Sequence, residues 1–162
     1  MMEEWMRVAL SRAKSALDSG EVPVGCLFIY KDEIIAEGSN IVNETKNATR
    51  HAEINCIDEI VAKYRDWKSV FKETHVVVTV EPCIMCASAL HNLEIAGITY
   101  GCANDRFGGC HSVLDTSKFY RNPCPVFSGV FGDEAMNLLK EFYKQTNPNA
   151  PENKVKIKKV AS

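Results

Sequence analysis

No stretch of this chain approaches the roughly 18 consecutive apolar residues that a membrane-spanning helix needs. Its opening, MMEEWMRVALSRAKSAL, is acidic first and has no unbroken apolar run, so no secretory leader is expected. No segment repeats and no Gly/Ser linker divides the chain, so its 162 residues read as one domain with a single substantial core. A surplus of charge is also missing: 19 Lys and Arg stand against 21 Asp and Glu, for a formal net charge of −2. Proteins that grip phosphates by electrostatics alone carry a basic excess, so this balance neither requires nor excludes a nucleic-acid partner. Cysteine, by contrast, is plentiful. An odd count of seven with no sign of export suits a reducing cytosol or nucleus, not a disulfide framework.

Strands and helices are expected to alternate. Met6, Leu10, Ala13 and Leu17 recur at helical spacing, and Gly20 follows as a stop. Val24 to Tyr30 and Ile34 to Ser39 are β-branched and apolar runs around the polar tripeptide Lys31-Asp32-Glu33, which signals a hairpin. Ile54, Ile57, Val61 and Tyr64 mark a helix beginning near His51, and the polar stretch Arg65 to Lys72 leads into the buried strand Val76 to Val80. A helix starts around Cys83, where Pro82 suits a first-turn position. Ile98 to Tyr100 is a short strand, residues 101 to 124 an irregular loop, and Val126-Phe127 a last strand. Asp133 is expected to cap a helix that reaches Tyr143. Such interleaving implies a sheet covered by helices on both faces.

Two short motifs carry the chemistry: His51-Ala52-Glu53, and Pro82-Cys83-Ile84-Met85-Cys86. His51, Cys83 and Cys86 provide three ligands suited to Zn²⁺, and a catalytic zinc keeps its fourth position open for water. Zinc lowers the pKa of such a water toward neutrality. Glu53 lies close enough to handle protons without being a ligand itself: base first, to activate water, then acid, to release an amine. His-x-Glu followed by Pro-Cys-x-x-Cys is a recognised signature of zinc-dependent base deaminases. All three ligands fall at helix N-termini, where backbone N–H groups and the helix dipole favour the thiolates that the metal requires.

Blander readings of these residues exist. A lone Cys-x-x-Cys also occurs as a thioredoxin-like redox pair, but no thioredoxin-like layout surrounds this one. A structural zinc site needs a fourth protein ligand. His75, His91, Cys102, Cys110, His111 and Cys124 are nominal candidates, none with paired spacing, and a structural site would leave Glu53 unexplained. The five cysteines outside the motif read as small buried hydrophobes.

Longer stretches narrow the signature: EVPVGC (21–26), NETKNATRHAE (43–53), VTVEPCIMC (78–86), NDRFGGC (104–110) and FYKQTNPNAP (142–151). On these the chain resembles the catalytic subunit of the eukaryotic heterodimeric tRNA adenosine deaminases, within the cytidine and deoxycytidylate deaminase superfamily. The resemblance implies a three-layer α/β/α cytidine-deaminase-like fold with a central five-stranded mixed sheet. It also implies one catalytic Zn²⁺ held by His51, Cys83 and Cys86, with Glu53 as proton shuttle. Asn40 matches the family's asparagine that hydrogen-bonds the flipped nucleotide, Ala52 the position whose amide faces the base, and Val24 and Gly25 a pocket wall. Phe107-Gly108-Gly109 falls in the loop that shapes the pocket mouth. The implied partners are a tRNA and a related subunit whose shuttle glutamate is replaced. Residues 1–150 would form the deaminase domain, and 151–162 a basic tail in which Lys154, Lys156, Lys158 and Lys159 meet tRNA. Two other functions stay open on the residues alone: deamination of a free base, nucleoside or nucleotide, and a non-catalytic zinc-binding subunit that positions RNA.

Overall fold

The computed structural model of the chain describes residues 1–145, so the lysines of the tail lie outside the described residues. Six α-helices and five strands follow one another as α1 (Met2–Asp18), β1 (Gly25–Tyr30), β2 (Glu33–Ser39), α2 (Val42–Thr45), α3 (Ala52–Lys63), α4 (Trp67–Lys72), β3 (Thr74–Val80), α5 (Ile84–Asn92), β4 (Gly97–Cys102), β5 (Val126–Phe127) and α6 (Gly132–Lys144), with a 3-10 turn at Thr116–Phe119. The strands form one mixed sheet in the order β2-β1-β3-β4-β5. β1 is antiparallel to both β2 and β3, while β3, β4 and β5 run parallel.

The central strands are buried on both faces, so they read as unbroken apolar runs rather than as alternations. Cys26 and Phe28 of β1, with Val76 and Val78 of β3, pack on one face against Cys56 and Ile60 of α3, Phe71 of α4 and Leu90 of α5. Leu27, Ile29 and Val77 point the other way, onto Met6 and Ala9 of α1. α6 covers β4 on that second face through Ala135, which packs on Val80 and Cys102. This is the expected three-layer α/β/α arrangement. Among the described residues no helix is long and apolar enough to cross a membrane.

Several local expectations need correction. Lys31 and Asp32 both adopt positive φ (51° and 62°), giving a two-residue hairpin loop whose twist suits the flanking strands, so β2 starts at Glu33 rather than Ile34. The polar stretch before β3 contains helix α4, anchored by Val70 and Phe71. The buried face of α3 is Ala52, Glu53, Cys56 and Ile60, whereas Val61 is 41% exposed. Ala52 and Cys56 are small where the helix rides close to β2: a Cβ on Gly38 would come within 2.9 Å of the Ala52 carbonyl and 3.0 Å of Cys56 Sγ. Asp133 does not cap α6. The cap position is Phe131, with φ of 51°, and Asp133 sits inside the first turn.

One consequence of the strand directions positions the site. β2 and β3 both run opposite to β1, so they point the same way, and β4 is parallel to β3. The residues that follow these strands, Asn40, Glu81 and Ala103, therefore leave the sheet along a single edge.

Candidate active site

His51 and Cys83 occupy matching positions at that edge. Each is the extended residue just before a helix, His51 before α3 (φ −76°, ψ 158°) and Cys83 before α5 (φ −65°, ψ 169°), and Cys86 lies in the first turn of α5. His51 Nδ1 is 3.5 Å from Cys83 Sγ and 3.5 Å from Cys86 Sγ. The three ligand atoms all fall within 4.8 Å of one another, and no other such group of His, Cys, Asp or Glu occurs among the described residues. Metal bonds of about 2.0–2.3 Å in a tetrahedron would set N and S atoms roughly 3.5 Å apart, so one imidazole and two sulfurs at this spacing fit zinc. No fourth protein ligand joins the group, which leaves a coordination position for a small molecule.

The electrostatics of the pair favour one thiolate already. The side chain of Cys86 hydrogen-bonds Cys83 and pulls its pKa down to about 4 against the opposing effect of burial, helped by His51 and by the Cys86 backbone N–H. Cys86 is pushed far up, first by holding the shared proton toward Cys83 and then by burial. Glu53 is only 3% exposed, yet it reaches the cavity. Burial raises its carboxyl from the ordinary value to about 7, opposed by a backbone hydrogen bond and reinforced by the charge of Cys83. All seven cysteines are unpaired, and the five outside the motif are buried, as their composition suggests.

A cavity of 570 Å³ opens over these groups. It is lined by His51, Glu53 and Cys83, by Val24 and Asn40, by Asn104 to Phe107 of the loop after β4, and by Met136, Leu139, Lys140 and Tyr143 of α6. Two residues expected at the pocket are elsewhere. Gly25 packs under α1, where an added Cβ would sit 1.9 Å from the Ala9 carbonyl oxygen, and its N–H donates to Thr79 Oγ1 at 3.1 Å. Ala52 is fully buried off the cavity wall, and its N–H donates to Asn40 Oδ1 at 2.9 Å. Asn40 thus satisfies one of the unpaired N–H groups at the start of α3 and holds the His51–Glu53 turn in place.

Sequence reasoning missed the α6 wall and Glu81. The Glu81 side chain is 1% exposed. Burial would raise its pKa, but donors from Asn104, Ser112 and His111 outweigh this and hold it below the ordinary value. A glutamate directly ahead of the Pro-Cys pair was the available signal.

Comparison with known proteins agrees with this geometry. Residues 1–102 match the family described as the cytidine and deoxycytidylate deaminase zinc-binding region. The chain is 50% identical over 163 residues to tRNA-specific adenosine deaminase 2 of Danio rerio, covering 96% of this chain and 76% of that one. Against the same-named protein of Xenopus tropicalis it is 46% identical over 173 residues, covering 97% of each. A solved structure from "Biochemical and Structural Studies of A-to-I Editing by tRNA:A34 Deaminases at the Wobble Position of Transfer RNA" superposes with a TM-score of 0.76 at 28% identity, covering 84% of this chain and 99% of that one. The chain belongs to the cytidine and deoxycytidylate deaminase zinc-binding family, with the tRNA-specific adenosine deaminase 2 proteins among its near full-length relatives.

Proposed function

We propose that this chain hydrolyses adenosine to inosine at the wobble position of tRNA anticodons, as the catalytic member of a heterodimer with a related, inactive subunit. The observation that carries the reading is the buried Glu53 beside a three-residue His/Cys/Cys cluster at an open cavity. Full-length relatives named as tRNA-specific adenosine deaminases support the substrate assignment.

Zinc held by His51, Cys83 and Cys86 would supply a water acidic enough to ionise near neutral pH. Glu53 takes a proton from the attacking water and gives it to the ring nitrogen next to the amine-bearing carbon. It then helps protonate the departing amine, so water and adenosine leave as inosine and ammonia. A carboxyl shielded from bulk water suits this double duty, because its proton affinity lies near the working pH. Asn40 spends its oxygen on Ala52 N–H, leaving its amide nitrogen to meet the nucleotide. Val24 offers an apolar contact on the same side. A flipped nucleotide fits a cavity of this size, since small-molecule sites span roughly 300–1,000 Å³.

Arg106 and Lys140 put positive charge at the cavity, suited to phosphates on either side of a flipped base. The lysines of the tail would add to this, and the partner subunit would supply further positive potential, with which the chain's net charge of −2 is compatible. Seven unpaired cysteines favour a reducing location, cytosol or nucleus.

The test is inosine formation on a transcribed tRNA with a wobble adenosine, by the chain alone and with its partner, with free adenosine and cytidine as controls. Inosine formed only with the partner present is the expected result. Turnover of a free nucleoside by the chain alone would keep the hydrolytic chemistry and refute the RNA assignment.

A further inference from the structure

Two carboxylates lie buried at the cavity, Glu53 at 3% and Glu81 at 1% exposure, and their surroundings differ sharply. Glu81 Oε1 accepts backbone N–H bonds from Cys110 at 3.1 Å, His111 at 2.7 Å and Ser112 at 2.9 Å. Its Oε2 accepts the Asn104 N–H at 3.0 Å and the Ser112 hydroxyl. A carboxylate offers about four lone-pair sites, so these five donors use its capacity up. No cation pairs with it among the described residues. A saturated carboxylate has nothing left with which to bind substrate or shuttle a proton.

The donors come from two places with one thing in common. Asn104 begins the loop after β4, and 110–112 is where that loop returns. Asn104 and the residues after it, Asp105 to Phe107, line the cavity. The same loop is tied to the ligand turn: Gly109 N–H donates to the Pro82 carbonyl and Ile84 N–H to the Phe107 carbonyl, each at 2.8 Å. Space around the carboxylate is full, since a Cβ on Gly108 would meet Glu81 Cδ at 2.6 Å.

We propose that Glu81 is a positioning residue for the substrate: its carboxylate pins residues 104–112 against the Cys83 turn, so that the wall of the cavity is formed before the nucleotide arrives. Glu81 acts through the loop and touches no reacting atom. The proposal rests on the deaminase reading of the cavity for its substrate, while the pinning itself is independent of that reading.

Glu81→Gln keeps the shape but points an N–H₂ at backbone donors. It should raise KM for the tRNA about tenfold or more while kcat changes less than about threefold, because a loosened wall weakens positioning and leaves Glu53 in place. Zinc content should stay at one per chain. Ser112→Ala, which removes one donor and leaves the carboxylate, should raise KM by about threefold. It serves as the graded variant if Glu81→Gln does not fold. Amide hydrogen exchange of Asn104, Cys110, His111 and Ser112 should speed up in Glu81→Gln more than that of β3, with or without tRNA. A fall in kcat at constant KM, loss of zinc, or unchanged exchange at those four amides would overturn the proposal. A wild-type chain that turns over no tRNA would sink the functional reading instead, and the exchange measurement would still decide the role of Glu81.

Discussion

Replacing Glu53 by Gln should cut turnover by orders of magnitude and, in metal-free protein, stabilise the fold. Burial first, and then the charge of Cys83, push the Glu53 carboxyl from 4.5 up to about 7. A carboxyl raised in this way binds more protons folded than unfolded, so its contribution to stability falls as pH rises from about 4.5 to about 7. Below that window both states are protonated and nothing is lost; above it the full penalty applies. At about 1.4 kcal/mol per tenfold change in proton affinity, the gap between 4.5 and about 7 amounts to about 3 kcal/mol. Glutamine carries no charge and removes the penalty without changing the shape.

Urea unfolding in the presence of a chelator, at about pH 5 and about pH 8, measures this. The advantage of Glu53→Gln over the wild type should grow by about 2–3 kcal/mol between the two conditions. Comparing the two proteins removes most of the opposite trend of Cys83, whose thiol is pulled down to about 4 and so stabilises the fold as pH rises, and leaves only its charge coupling to Glu53. With zinc restored the cation offsets the cost of a buried anion, and the variant's advantage should shrink. Its turnover should then fall by about 10²–10⁴. A stability difference that stays flat between the two pH values would refute the assignment of Glu53 as a carboxyl whose proton affinity burial raises.

Gly25→Ala should destabilise the protein by at least about 1–3 kcal/mol, because the new Cβ would lie 1.9 Å from the Ala9 carbonyl oxygen and 2.8 Å from Ala13 N, and α1 must move bodily. An unchanged urea midpoint would show that α1 is not held as closely as the geometry requires. Removing the residues after Pro151 should weaken tRNA binding and flatten its dependence on salt, measured by titration at several ionic strengths. Equal slopes for full-length and truncated chains would leave the four lysines without a role.

The His/Cys/Cys cluster was legible in the sequence because its information is local. Cys83 and Cys86 share one helical turn, and the His51–Glu53 spacing places imidazole and carboxylate on the same helix start. β1 and β3 were legible for a similar reason, since burial on both faces leaves continuous apolar runs. The surroundings of Ala52 and Gly25 were not legible, because they depend on neighbours distant in sequence: Ala52 N–H on Asn40, and Gly25 on the backbone of α1. No pattern within a single element records those contacts.

Glu81 is the sharper case. By residue type and position, two glutamates close to metal ligands look equally fit for catalysis. What separates them is the supply of donors, and that depends on which strand ends lie side by side. Because β3 and β4 are parallel neighbours, the residue after β3 faces the loop after β4, and Glu81 N–H already donates to the Cys102 carbonyl at 2.8 Å. Backbone donors of that loop then saturate the Glu81 carboxylate, while α3 delivers Glu53 to the cavity with burial as the strongest influence on its proton affinity. One sheet edge thus gives two buried carboxylates opposite surroundings: donors fill Glu81, as the proposed pinning of the wall needs, while Glu53 keeps the raised proton affinity that the proposed proton transfer needs.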